Sequence, residues 1–322
     1  MLSRVAEHLY WLGRYTERVE NTVRIVDVNT NLLLDLPRSI APGWAPLIAI
    51  TGSQAQFDDL YKAPTERNVV RFLLLDTRHS SSMLSSVVAA RENARIIRDY
   101  LPREAYWALN ELNRFIKESR SAGLSKRERS NYLKRIVREI HGLNGLLMGA
   151  MNHDHGYRFL EIGRLLERAD MTSRIVDVRS RSLLPNADER DAVYENLQWM
   201  SVLKSLTAHQ MYRRKVNLRV QRAHALEFLL GDEEFPRTVK FCMNKIAQRA
   251  DELPRGEMLK QRCVNVCHML DEAAYDTLAF DSDALNTFID NLQQVFIQVH
   301  NSVRTTYFLG SEESDGRHQE AA

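Results

Sequence analysis

Glu17, Glu20, Arg24 and Asp27 follow Gly13 at spacings of four, three, four and three, and the series returns as Gly163, Glu167, Asp170, Arg174 and Asp177. On a helix that spacing sets each series on one stripe. Arg14 and Arg18, with Arg164 and Arg168, flank the stripes on an adjacent face. Three kinds of chemistry suit these residues. Glu20 with Arg24 and Arg24 with Asp27 are spaced for intrahelical ion pairs, which would make the stripe an ion-pair ladder with a glycine marking close helix approach. Carboxylates converging from both stripes could form a polar pocket for an amino, amide or carboxylate group, with Glu17 or Glu167 as a general base tuned by a neighbouring carboxylate. Four carboxylates also suggest a di-metal centre, but that arrangement pairs glutamate with Glu-x-x-His. No histidine follows Glu20 or Asp170 at the third position, and Arg24 and Arg174 compete for the carboxylates. No metal and no cofactor is expected.

Long amphipathic helices have to position these stripes. Glycine (13) and proline (8) are scarce among the 322 residues, and apolar residues recur at three- and four-residue spacing, as in Leu12, Val19, Val23 and Val26. That pattern makes the chain all-α, each helix burying one face. Helices are expected near 2–35, 67–100, 102–121, 126–151, 155–184, 188–214, 219–230, 236–252, 256–280 and 282–308. Pro37, Pro42, Pro46, Pro102, Pro185-Asn186, Gly231, Pro236 and Pro254 punctuate them. Residues 37–66 read as the longest irregular stretch, and GSEESDGRHQEAA at 310–322 as a disordered tail.

Aligning Leu12–Val28 with Ile162–Val178 gives ten identities in 17 positions, against about one expected from average composition. WAPLIAIT at Trp44 pairs with WMSVLKSLT at Trp199, and RFLLLD ending at Asp76 pairs with EFLLGD ending at Asp232. The chain therefore reads as an internally duplicated antiparallel helical bundle with pseudo-two-fold symmetry. Its repeats span 1–152 and 153–309 and share one core.

Other residues carry weaker signals. Cys263, Cys267 and His268 offer too few ligands for zinc. His153-Asp154-His155 precedes the second copy's first helix, where Asp154 is placed to act as an N-cap. Arg213, Arg214, Lys215, Arg219 and Arg222 form a basic run suited to a solvated face or an acidic partner. No phosphate-cradling glycine loop, Gly-x-Ser-x-Gly elbow or His-Glu-x-x-His occurs. Lys+Arg 44 against Asp+Glu 42 leaves a charge of +2, which points to neither nucleic acid nor an anionic membrane. Three cysteines without a spaced framework suit a reducing compartment. No unbroken apolar run marks a signal peptide or a membrane span, and a cytoplasmic location is expected.

The assembled segments resemble the bacterial alpha-E domain family, an all-helical family named for its Glu-Arg motif. They are LGRYTERVENTVRIVDV, RENARIIRDYLPREAYWALNEL at Arg91–Leu112, IGRLLERADMTSRIVDV and FLLGDEEFPRTVKFC at Phe228–Cys242. The resemblance places the Glu-Arg signature on Glu17-Arg18 and Glu167-Arg168, and a second element on Arg91, Glu92, Asn93 and Arg95. One departure is EEFPRT, whose first-copy counterpart is TRHSSS. The resemblance also implies a circularly permuted ATP-grasp protein as partner, with transglutaminase-like and proteasome-like hydrolase proteins as companions. The implied setting is amide-bond formation on a peptide-like product. The expected role is a non-catalytic module of such a system. The alternatives are an enzyme with Glu17 or Glu167 as base, or a structural oligomer.

Overall fold

The computed structural model describes residues 2–36, 43–181, 189–216 and 219–309. Among them are sixteen α-helices and no strand. In the first half these are α1 (Ser3–Asp35), α2 (Ala45–Ile50), α3 (Gln54–Leu60), α4 (Glu66–Leu74), α5 (Met83–Ile96), α6 (Arg103–Glu118), α7 (Arg120–Leu124) and α8 (Arg129–Ala150). The second half holds α9 (His155–Arg181), α10 (Glu189–Ser205), α11 (His209–Lys215), α12 (Arg222–Gly231), α13 (Val239–Asp251), α14 (Glu257–Asp271), α15 (Tyr275–Phe280) and α16 (Ser282–Val303).

Helix α1 is not a surface helix with one apolar face. Leu9, Leu12, Val19, Val23 and Val26 are buried as the spacing requires, and so are Thr16, Glu17, Glu20, Asn21, Thr22 and Asn29. It packs against α5, α8, α9 and α10, so its polar residues also lie inside and need partners. Helix α9 is enclosed in a corresponding way by α2, α13 and α16.

Two pairs of long helices, α1 with α5 and α9 with α13, run antiparallel. His8 meets Asn93 and Arg18 meets Ser81 between α1 and α5, while Glu161 meets Arg249 and Arg168 meets Pro236 between α9 and α13. The central α1–α9 pair departs from the antiparallel expectation. Its contacts advance in the same direction along both helices, Gly163 against Tyr10 and Arg168 against Glu17, so the pair crosses in a parallel sense.

Several expected helices are broken. The expected 67–100 helix splits at residues 75–82, because Asp76 folds the chain back by accepting from the Arg78 amide and Ser82 caps α5. Thr207, at φ 54°, divides α10 from α11, and residues 272–274 divide α14 from α15. The segment read as irregular, 37–66, contains α2 and α3. The last expected helix ends as α16 plus one π turn at Arg304–Phe308. Pro37, Pro42, Pro185-Asn186 and the 310–322 tail lie outside the described residues.

Candidate functional site

The crossing of α1 and α9 sets the geometry of the site. A Cβ added at Gly13 would lie 2.1 Å from the Leu160 carbonyl oxygen, and one at Gly163 would lie 2.1 Å from that of Tyr10. Leu160 and Tyr10 are related by the same 150-residue offset as the two glycines, so the close approach is reciprocal. Only glycine permits backbones this near, and the contact brings the two Glu-Arg signatures within reach of each other.

The signatures pair across the crossing. Arg168 donates through Nε and Nη2 to the two carboxylate oxygens of Glu17, at 2.8 and 2.7 Å. Arg18 donates through Nε and Nη2 to Glu167, at 2.6 and 3.0 Å. Each is a bidentate guanidinium–carboxylate fork. Glu17 is 0% exposed and Glu167 3%. A buried anion is tolerated only when paired, and here each has more than one cation.

The additional cations differ between the two sides. On the Glu17 side, Arg237 reaches in from the loop before α13. It donates through Nη1 to Glu17 at 2.9 Å and to Asn21 at 3.2 Å, and through Nη2 to Glu20. Glu20 also accepts from Arg24 Nε at 2.8 Å and lies 3.0 Å from His141 Nε2. On the Glu167 side, Arg14 supplies the second cation through Nε, and its Nη1 donates to the Tyr10 hydroxyl. The Tyr10 oxygen lies 2.8 Å from His300 Nδ1. Asp170 accepts from Arg174 Nε at 3.0 Å, the counterpart of the Glu20–Arg24 pair.

Burial alone would push these carboxyl groups toward protonation, but the guanidiniums outweigh it. Arg14 and Arg18 hold Glu167 down to about 2. Arg168 and Arg237 lower Glu17, and Arg237 with Arg24 and His141 lowers Glu20. The site is thus a set of anions locked by cations, the reverse of a carboxyl tuned upward by a neighbouring carboxylate.

Of the residues singled out from sequence, Glu17, Arg18, Glu20, Arg24, Glu167, Arg168, Asp170 and Arg174 meet at this crossing. Asp27 does not join the ladder: Arg24 turns to Glu20, and Asp27 Oδ1 is buried without a hydrogen-bond partner among the described residues. Asp177 is buried further along α9. Arg91, Glu92, Asn93 and Arg95 form a separate cluster roughly 14 Å or more along α5 from its N-cap, at 1.5 Å per residue. There Arg91 donates to Asn110 and Glu92, Arg95 donates to Glu92, and Asn93 lies 2.7 Å from His8 Nδ1. Arg237, His141, Asn21 and Tyr10 were not anticipated. For Arg237 the departure of EEFPRT from TRHSSS was the available signal; the other three carried none.

Several of the weaker candidates make local contacts. Asp154 caps α9 by accepting from the Gly156 and Tyr157 amides, and His153 stacks on Tyr157. Burial pushes the Cys242 thiol up to about 12 and Cys267 to about 11, and Cys267 donates to Asn244. Among the described residues no three His, Cys, Asp or Glu side chains are grouped as metal ligands. Lys215, from the basic run, pairs with Asp232 and Glu234. These line a groove of about 840 Å³, together with His224, Glu227 and Tyr275, away from the α1–α9 crossing. No described helix is long and apolar enough to cross a membrane.

Uncharacterized proteins of Mycobacterium bovis and Mycobacterium tuberculosis are 23% identical to the chain over 269 residues, covering 78% of this chain and 30% of theirs. The chain therefore spans less than a third of the length of these curated relatives. No solved structure matches it. The Alpha-E profile, described as a predicted alpha-helical domain with a conserved ER motif, matches residues 1–308, and the chain belongs to that family.

Proposed function

We propose that the chain is a non-catalytic helical module of an ATP-dependent amide-bond ligase system, binding a circularly permuted ATP-grasp protein and helping to hold or shape its peptide-like substrate. In this reading 1–152 and 153–309 are two copies of one helical unit, and the Glu-Arg motif is the clamp that joins them. The observation that carries the non-catalytic part is the state of Glu17 and Glu167. A general base works best with a pKa near the operating pH, and both carboxylates are held far below it by bidentate arginines. Buried ion pairs of this kind specify register more than they add stability. In the mycobacterial relatives the matching segment is 30% of a longer chain, so the unit is joined to further sequence there, as a module would be. The ATP-grasp partner, and a transglutaminase-like companion, rest on the family resemblance.

The test is a low-salt pull-down of tagged protein at native level in its own organism, followed by mass spectrometry and an assay of the pure protein with ATP. An ATP-grasp protein in near-equal amount, with no turnover by the isolated chain, is the expected result. Turnover by the pure protein that disappears in Glu17→Gln or Glu167→Gln, with the melting temperature unchanged, would establish the enzyme reading instead. A stable homo-oligomer by light scattering with no partner recovered would establish the structural one.

A further inference from the structure

Arg237 fills the Glu17 side of the crossing, and the corresponding place on the Glu167 side is a cavity. The segments RFLLLDTRHSSS and EFLLGDEEFPRT set Ser81 opposite Arg237. Their local structures agree with that pairing. Ser82 caps α5 as Thr238 caps α13, and His79 stacks on Phe72 as Phe235 stacks on Phe228. Where the second segment inserts a guanidinium, the first offers only a hydroxymethyl group. The space left is about 210 Å³, lined by Arg14, Arg18, Arg174, Asp170, Thr22 and Ser81, with Glu167 at its wall.

Two observations point to a ligand there. Thr172 Oγ1 donates to the Arg237 carbonyl, but its counterpart Thr22 is 1% exposed, lines the cavity, and leaves Oγ1 with no hydrogen-bond partner among the described residues. A buried hydroxyl without a partner is costly. The second observation is charge. Three guanidiniums face two carboxylates, and Glu167 and Asp170 already accept from them. Among the described residues Arg18 Nη1 has only a 3.4 Å contact with Ser81 Oγ, and no hydrogen bond engages Arg174 Nη1 or Nη2. A cation entering would meet that positive excess; an anion would be met by N–H groups left to donate.

We propose that this cavity is a binding site for a compact oxyanion, the carboxylate or phosphate group of a small molecule. Arg18 and Arg174 hold it and Thr22 Oγ1 donates a further hydrogen bond. Guanidinium forks match both oxyanions. A space of about 210 Å³ has room for such a group and a small substituent. The proposal stands independently of any ATP-grasp partner.

The test uses the full chain and two probes, inorganic phosphate and acetate, titrated at constant ionic strength against chloride while the arginine Nε–H resonances are followed by NMR. Saturable binding of either probe is expected, and the probe that saturates identifies the source. Ser81→Arg should plug the cavity as Arg237 does on the other side and abolish binding. Arg174→Gln, at a side chain 31% exposed, should weaken it tenfold or more and decides the matter even if Ser81→Arg does not fold. No saturable response, a response that chloride reproduces, or a loss under tenfold in Arg174→Gln would overturn the proposal.

Discussion

Replacing Gly13 or Gly163 with alanine tests the crossing on which the site depends. The added Cβ would sit 2.1 Å from a backbone oxygen, about 1.3 Å short of the 3.4 Å at which ordinary contact begins. A backbone carbonyl cannot rotate away as a side chain can, so α1 and α9 have to separate. Overpacking costs about 1–3 kcal/mol, and separation lengthens the buried Glu17–Arg168 and Glu167–Arg18 forks. Loss of one partner from such a pair costs about 3–5 kcal/mol, so stretching it costs part of that. Alanine returns about 1 kcal/mol of helix propensity. The net expectation is a loss of about 2–4 kcal/mol for each single variant, roughly a 1 M fall in urea midpoint at a slope of about 3 kcal/mol/M. The double variant should cost less than the two together, because one separation accommodates both methyl groups, with a coupling of about 0.5–3 kcal/mol. Gly142→Ala on α8 is the control. Nothing lies within 4 Å of its added Cβ, so it should gain about 1 kcal/mol. Urea unfolding followed by circular dichroism measures all four proteins. Stabilisation by Gly13→Ala comparable to Gly142→Ala, or strict additivity of the pair, would refute the close reciprocal crossing.

Further outcomes follow from the same contacts. Arg237→Met removes a cation from Glu17 and Glu20 and should cost about 3–5 kcal/mol in urea unfolding, whereas Arg95→Met, in an exposed pair, should cost under about 1 kcal/mol. Glu167 is lowered to about 2 against an unfolded value of roughly 4.3. The unfolded state therefore binds more protons between these values. The stability from Glu167 is full above about pH 4.3 and is lost as pH falls toward about 2; a flat urea midpoint across that window would contradict the pairing. Cys242 and Cys263 are buried with thiols pushed well up by burial, so a thiol reagent at pH 8 should label neither until urea unfolds the chain.

The all-helical class was legible because three- and four-residue apolar spacing has no reading as strand, and the Glu20–Arg24 pair was legible because i,i+4 spacing fixes intrahelical reach. The partners of Glu17 and Glu167 were not. Spacing along one helix says nothing about which helix crosses it, and Glu17 bonds residues 151 and 220 positions away. The repeated glycine marked the crossing without showing its parallel sense. Arg237 was hidden because it lies on a connection. Its counterpart Ser81 gave a contrast whose meaning appears only once both loops sit beside the same pair of helices. Helix breaks at 75–82 and 206–208 were missed for a related reason. Apolar spacing resumes after the polar run at 76–82 and continues across 206–208, while the turns are made by the Asp76 carboxylate accepting from the Arg78 amide and by Thr207 at a positive φ.

The central claim, that the Glu-Arg motif is a reciprocal clamp between α1 and α9, is tested most directly by a double-mutant cycle on Glu17 and Arg168. Glu17→Gln, Arg168→Gln and the double variant would be compared with the parent by urea unfolding. The clamp predicts a coupling of about 1.5 kcal/mol or more, since either single change leaves a buried charge facing a lost partner. Two losses that simply add, with coupling near zero, would contradict it.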